Sequence, residues 1–325
     1  MDYIIIMLAI GFIFFLFGID PFASNNKHKN KNKDNRKYHY IEYFKEFKRY
    51  DNIDARQAVA VGSKHFYSIS NITISKCKKT TGQMVCRWIN TCDQNLHHIT
   101  HLNCGVIVGK YLYCVNNPPF SKFKKNKKKK HKTKIVPENY VFEPMDDNKN
   151  FDRQDEEIDT IEIFNHKSLE HIATIKVKCN GMLRYGSLTW IDYYKGVWWG
   201  CFSFYGKNNK YTTLVNFKID KKTRTIKILY RWKFSQNVLK EIYPYSCSGC
   251  SIKDDVFFCT TRNKKEIQAL IFDKSKNNLK YVDTIDSDFT GEGISWDRYS
   301  KENILWGIDA SILGPSVIAT KHSQY

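Results

Sequence analysis

Between residues 57 and 321 one pattern recurs five times. A small residue opens a short alternating segment, a tight turn follows, and an aromatic-rich segment comes next. Two further segments then join through Lys, Asn, Gly or Thr. Apolar–polar alternation with period two marks a half-buried strand, and turn residues at regular spacing separate one strand from the next. The units span 57–89, 101–177 around an interruption, 186–232, 248–285 and 291–321. With the interruption left out, each takes about 48 residues, the length of a propeller blade. No segment keeps a helical period; only VLKEIY (238–243) reads as a short helix. The pattern predicts an all-β fold, a single β-propeller of about five four-stranded blades. Six blades is the alternative if the interruption carries strands.

The fifth unit supplies only three strands. Residues 40–51, YIEYFKEFKRYD, form one alternating segment with no neighbour to pair with. This N-terminal strand is predicted to close the last blade, which leaves no long sheet edge free. The propeller is thus expected over 40–322. Trp190, Trp198, Trp199, Trp296 and Trp306 sit on its strands and read as packing between blades.

Residues 3–18 are an apolar run, shorter than the roughly 20 residues of a membrane span. Small residues follow at Ala23 and Ser24, so 1–24 read as a secretory signal peptide, with a retained signal anchor as the alternative. Residues 25–39 and the insertion at about 118–157 are expected to be disordered. The block at 25–37 carries +5 and the block at 121–134 carries +9, which leaves about +5 of the formal net charge of +19 for the rest. Like-charge runs cannot bury apolar surface. An acidic stretch, DDNKNFDRQDEE (146–157), follows the second block. Lys/Asn-rich inserts of this kind resemble those in proteins from AT-rich parasite genomes, where they are surface loops. Nucleic acid is therefore a disfavoured partner.

Ten cysteines lie within the predicted propeller, an even number that suits an oxidising compartment. Asn71-Ile72-Thr73 is a glycosylation sequon. Together these place the chain in the secretory pathway: secreted, in an endomembrane lumen, or at the cell surface. In YSCSGCSIKDDVFFC (245–259), Cys250 and Cys259 fall close to opposite each other in the first hairpin of the fourth unit. That register predicts a cross-strand disulfide, and a slip of one residue would turn them to opposite faces. Cys247 stays on the rim.

In a propeller the loops leading into the innermost strands gather round the central channel, where polar groups can meet a ligand. By position these are Arg56, Gln57, His101, Asn103, Ser187, Tyr245, Ser246, Ser248 and Glu292, with Arg184 and Tyr205 near the same rim. Glu292 is the one carboxylate in the set and His101 the one imidazole, so any acid–base chemistry would fall to that pair. An Arg56–Glu292 ion pair across the closure is the structural alternative. His98, His101, Cys104 and Cys247 are weak candidates for zinc, because their spacing is no zinc-finger signature. There is no phosphate loop and no nucleophile elbow, and nothing calls for a cofactor.

The stretches ARQAVAV (55–61), HLNCGVIVGKYLYC (101–114), GSLTWID (186–192), YSCSGC (245–250) and GEGISWDR (291–298) resemble a group of secreted or extracytoplasmic propellers of no assigned activity. ARQAVAV with SKCKKTTGQMV is also similar to the first blade of plant-type glutaminyl cyclases, five-bladed propellers of the secretory pathway. That family's catalytic acid lies in a Gly-Glu-Gly motif opening the second blade. Here that position reads Leu102-Asn103-Cys104-Gly105, and Gly291-Glu292-Gly293 opens the last unit instead. These features predict a module that binds a protein or glycan partner without catalysis. The alternatives are a glutaminyl-cyclase-like enzyme or other small transferase or lyase, and a binder of anionic lipid or glycan through Lys124, Lys125, Lys127, Lys128, Lys129 and Lys130.

Overall fold

The computed structural model describes residues 43–91, 96–117, 158–179, 183, 186–262, 264–273, 278–311 and 314–322. The segments expected at 1–24, 25–39 and 118–157 lie outside them. The described residues form five antiparallel blades of four strands each. The first blade holds β2 (Ala58–Val61), β3 (His65–Ser70), β4 (Thr73–Lys78) and β5 (Met84–Ile89). The second holds β6 (Leu102–Val108), β7 (Tyr111–Asn116), β8 (Thr160–Asn165) and β9 (His171–Lys176). The third holds β10 (Ser187–Tyr194), β11 (Val197–Ser203), β12 (Thr213–Asp220) and β13 (Thr225–Phe234). The fourth holds β14 (Cys247–Lys253), β15 (Val256–Thr261), β16 (Glu266–Asp273) and β17 (Asn278–Asp286).

The last blade is built from both ends of the described chain. Its strands β18 (Ser295–Trp296), β19 (Ile304–Asp309) and β20 (Ser316–His322) are joined by β1 (Phe44–Asp51). β1 runs antiparallel to β20, with Phe44 opposite His322 and Asp51 opposite Ser316. The lone alternating segment near the N-terminus therefore finds the partner that the fifth unit lacked. The predicted short helix is α1 (Gln236–Ile242), which buries Val238, Leu239 and Ile242.

The innermost strands pack in a ring: β2 on β6, β6 on β10, β10 on β14, β14 on β18, and β18 back on β2. At the seam between the last and first blades the backbone itself makes the contact. Gly293 N–H donates to Gln57 O at 2.9 Å, and Val59 N–H to Gly293 O at 3.3 Å. A Cβ at Gly293 would lie 2.5 Å from Ala58 Cβ. Only glycine allows this approach.

Each junction between blades is filled by an aromatic pair. These are Trp88–Phe164 at 4.8 Å, Tyr113–Trp198 at 4.7 Å, Trp199–Phe257 at 5.4 Å, Phe258–Trp296 at 5.1 Å and Phe66–Trp306 at 5.3 Å. Such pairs contribute about 0.5–1.5 kcal/mol each beyond the area they bury. This is the packing role read from Trp198, Trp199, Trp296 and Trp306. Trp190 is buried too, and its indole N–H donates to Cys247 Sγ.

Two of the loops leading into innermost strands are tied down by one repeated frame. In the first blade Asp54, four residues before β2, accepts from Thr73 and Ser75 on β4 and from Arg87 on β5. Burial alone would raise the Asp54 carboxyl, but Arg87 and the two hydroxyls hold it below its ordinary value. In the second blade His98, four residues before β6, contacts Glu162 on β8, which also accepts from Thr160 on β8 and Thr174 on β9. The strand residues occupy matching places, since Ser75 pairs with Arg87 as Glu162 pairs with Thr174. The frame is the same with the charges exchanged.

Candidate functional site at the channel mouth

Strands in each blade run up and down, so loops between blades and turns between second and third strands share one end of the ring. Four side chains from four blades come together there. Glu292 precedes β18, Arg262 follows β15, Tyr205 follows β11, and His101 precedes β6. Glu292 Oε1 lies 3.9 Å from Arg262 Nε, with the glutamate side chain 15% exposed and the arginine 62%. Burial pushes the Glu292 carboxyl up to about 7, and Arg262 opposes that rise. At that distance from a solvated guanidinium the attraction is too weak to offset lost hydration. Burial and then Arg262 hold the His101 imidazole below its ordinary value, so it is neutral at pH 7. Tyr205 lies within electrostatic range of both Glu292 and Arg262 and is 48% exposed.

Rigid elements hold these groups. Gly291 adopts φ +85°, and a Cβ there would strike the carbonyl of Thr261. The peptide next to Glu292 is thus pressed against the end of β15, from which Arg262 projects. Thr260 Oγ1 donates to Glu292 O at 2.7 Å and fixes the same turn to β15. On the opposite side, Asn116 Oδ1 accepts from the N–H groups of Thr100 and His101.

The other residues singled out in the sequence are placed as follows. Asn103 is buried; its Nδ2 donates to Asn117 at 3.4 Å, and its Oδ1 has no hydrogen-bond partner. Ser187 pairs with Ser203 across β10 and β11. Ser246 and Thr212 share a hydroxyl hydrogen bond, Ser248 is buried, and Tyr245 is half-buried just before β14. Gln57 serves the seam through its backbone. Asn71 is exposed in the turn between β3 and β4. Arg184 and Lys124–Lys130 lie outside the described residues.

Two expectations are corrected. Arg56 does not pair with Glu292; its Nε donates to Ile53 O, and Arg262 takes the place beside the carboxylate. A turn residue thirty positions before Glu292 in sequence reaches it because both lie at the same end of adjacent blades.

The zinc candidates are not assembled either. His98 is spent on Glu162, Cys104 Sγ accepts from Ile191 N–H, and Cys247 from Trp190. Among the described residues no group of three or more ligands is placed to hold a metal.

The second correction concerns the hairpin. Cys250 does stand opposite Cys259 in register, but the two are free thiols, as are the other described cysteines. Directly opposed strand residues keep their Cβ atoms about 4.5–5.5 Å apart, beyond the usual disulfide span of about 3.8 Å. Burial pushes the thiols of Cys104 and Cys250 up to about 12, and those of Cys114, Cys201, Cys247 and Cys259 well above their ordinary value. Such thiols are unreactive. These six cysteines are expected to resist iodoacetamide in the native protein and to be alkylated after denaturation. Recovery of a Cys250–Cys259 crosslinked peptide from the native protein would contradict this.

No family model matches the chain, and no curated protein matches it. Among solved structures, a glutaminyl cyclase from Myxococcus xanthus is similar over 88% of this chain and 99% of its own, with 9% identity and a TM-score of 0.51. A luciferin-regenerating enzyme matches over 88% of this chain and 95% of its own, with 8% identity and a TM-score of 0.43. The protein U3-55K matches over 81% and 95%, with 9% identity and a TM-score of 0.40. At these identities the likeness to the cyclase is one of fold.

Proposed function

We propose that the protein is a binding propeller that takes an anionic group of a glycan or protein partner at the channel mouth. The observation that carries this reading is the pairing of a solvated Arg262 with a Glu292 carboxyl held near neutrality. Below about pH 7 Glu292 is uncharged, so Arg262 faces the mouth without a competing carboxylate. A carboxylate or sulfate then gains a charge-assisted bond from Arg262 and a donor from the protonated Glu292. The insertion with its lysine block follows Asn117 in sequence, and Asn117 Nδ2 donates to Leu188 O at 2.7 Å. Delivery to the secretory pathway is part of the proposal and rests on the apolar run at 3–18 and on the resemblance to extracytoplasmic propellers.

The test is binding of a short heparin oligosaccharide as a function of pH. Affinity of the wild-type chain is expected to rise as pH falls from 8 to 6, because the acid form of Glu292 lies below about 7. Glu292→Gln mimics that acid form, so it is expected to bind more tightly than the wild type at pH 8 and to lose the part of the pH dependence that Glu292 carries. A pH-independent wild type sinks the reading. Loss of all binding on deletion of 121–134, with Glu292 irrelevant, assigns the ligand to the lysine block instead.

A second reading is favoured by the same carboxyl, since a pKa near the working pH suits a general acid–base group. A cyclotransferase-like enzyme would then use Glu292 of Gly291-Glu292-Gly293 to move the proton. Cyclisation of an N-terminal glutamine by the wild type and not by Glu292→Gln would replace the binding reading with this one.

A further inference from the structure

The second blade holds a buried ionisable cluster that the mouth does not use directly. Glu162 is fully buried. Its Oε1 accepts from His98 Nε2 at 3.1 Å and from Thr160, and its Oε2 from His171 Nε2 at 2.8 Å and Thr174 Oγ1 at 2.7 Å. The His98 side chain is 40% exposed, so it exchanges protons with solvent. Its carbonyl accepts from Asn116 Nδ2, and Asn116 also contacts Thr160 Oγ1. The Oδ1 of the same Asn116 accepts from the N–H groups of Thr100 and His101. One asparagine thus connects the Glu162 cluster to the backbone that carries His101 to the mouth.

We propose that His98 and Glu162 form a proton-operated latch that fixes residues 96–101 and, through Asn116, the position of His101. With His98 protonated the contact is an ion pair hydrogen-bonded to a buried carboxylate; with His98 neutral its N–H still donates to the carboxylate, but the attraction between opposite charges is gone and the contact is weaker. The groups facing the pair are His171 and Thr174 on β9, Thr160 on β8, Cys114 on β7, and Lys176 on β9, which works against the imidazolium.

The direction follows from these contacts. The hydrogen bond to Glu162 raises the His98 pKa, so its contribution is complete below about 6.5 and is lost as pH rises through the folded value. Burial opposes ionisation of Glu162, yet His171, His98, Thr160 and Thr174 bring its carboxyl down to about 2. Its contribution is present above about 4.5 and is lost only towards strong acid. Both terms are in place between about pH 4.5 and 6.5.

The first blade supplies an internal control. Its loop at 52–57 is held by the same frame, but through Asp54 and Arg87, neither of which titrates near neutrality.

The experiment is amide hydrogen exchange on the full chain at pH 6 and pH 8, corrected for intrinsic exchange rates. Protection at 96–101 is expected to fall several-fold at pH 8, while protection at 52–57 stays constant. In His98→Gln, which keeps a donor for Glu162 but no titration, the pH dependence should vanish. Equal protection of 96–101 at both pH values, or an unchanged pH dependence in His98→Gln, overturns the latch. If that variant does not fold, the imidazole resonance of His98 decides: a wild-type titration at or below the ordinary histidine value overturns it. The effect of the latch on ligand binding rests on the mouth reading, but the exchange measurement does not. A working latch with no heparin binding would fault the mouth and leave the latch standing.

Discussion

Gly293→Val is expected to lower the thermal midpoint by about 6–12 °C, through an overpacking cost of about 3 kcal/mol in a domain of this size. The reason lies at the seam between the last and first blades. A Cβ at position 293 would meet Ala58 Cβ at 2.5 Å, Ala58 Cα at 3.2 Å and Gln57 O at 3.3 Å. Two of these atoms are backbone and the third is joined directly to it, so no side-chain rotation relieves the clash. The strands must separate, and with them go the two backbone hydrogen bonds that join Gly293 to Gln57 and Val59. Gly249 on β14 presses on the same glycine from the other side, since its own Cβ would meet Gly293 Cα at 2.6 Å. The displaced backbone therefore has no free direction. Gly109→Ala is the control: Gly109 has φ +59°, but a Cβ added there would meet no atom within 4 Å. It is expected to cost roughly 1–2 kcal/mol from backbone conformation alone. Equal losses in the two variants, followed by circular dichroism, would mean that the seam has no special role in closure.

The architecture was legible because a propeller repeats one short-range rule. Period-two alternation located the strands, turn residues separated them, and the unpaired segment at 40–51 gave the closure. The opposition of Cys250 and Cys259 followed from a short turn. What the sequence could not give was the content of the turns at the mouth. Arg262 sits among polar turn residues with no pattern of its own, and its relation to Glu292 exists only once two blades are adjacent. Arg56 was the nearer cation in the predicted closure, but its side chain turns back to its own loop. The Glu162 cluster did carry a signal. In TIEIFN, Glu162 shares its face with Thr160 and the buried Phe164, and a carboxylate on a buried face needs partners. The equal spacing of Asp54 before β2 and His98 before β6 was a second sign, visible once units are aligned by their first strands.

The two titrating features point the same way. Acidification below neutrality discharges Glu292 at the mouth and charges His98 on the loop that carries His101. One change removes negative charge from the proposed ligand site and the other holds its rim in place. On the proposed reading, such a propeller would bind its anionic partner best under mildly acidic conditions and release it as pH rises.

Arg262→Glu is expected to weaken that binding at every pH and to leave only part of its recovery on acidification. Arg262 is the cation beside Glu292, and losing a charge-assisted bond of about 2 kcal/mol weakens an anionic ligand by about thirtyfold. The substitution also acts on Glu292. Its carboxyl stands at about 7 with Arg262 opposing the effect of burial. Replacing that cation by a carboxylate removes the opposition and adds repulsion, so the Glu292 pKa must rise further. The affinity of the variant for a heparin oligosaccharide should then be low at pH 8 and recover only in part at pH 6, where the new carboxylate remains charged. Arg262→Gln separates the two effects, because it removes the cation without adding an anion and should fall between the variant and the wild type. Salt gives a further check: the wild-type affinity should weaken with ionic strength more steeply than that of either variant, since an exposed guanidinium is readily screened. If Arg262→Glu binds heparin as the wild type does, with the same salt dependence, the ligand does not meet Arg262, and the lysine block at 121–134 becomes the place to look for it.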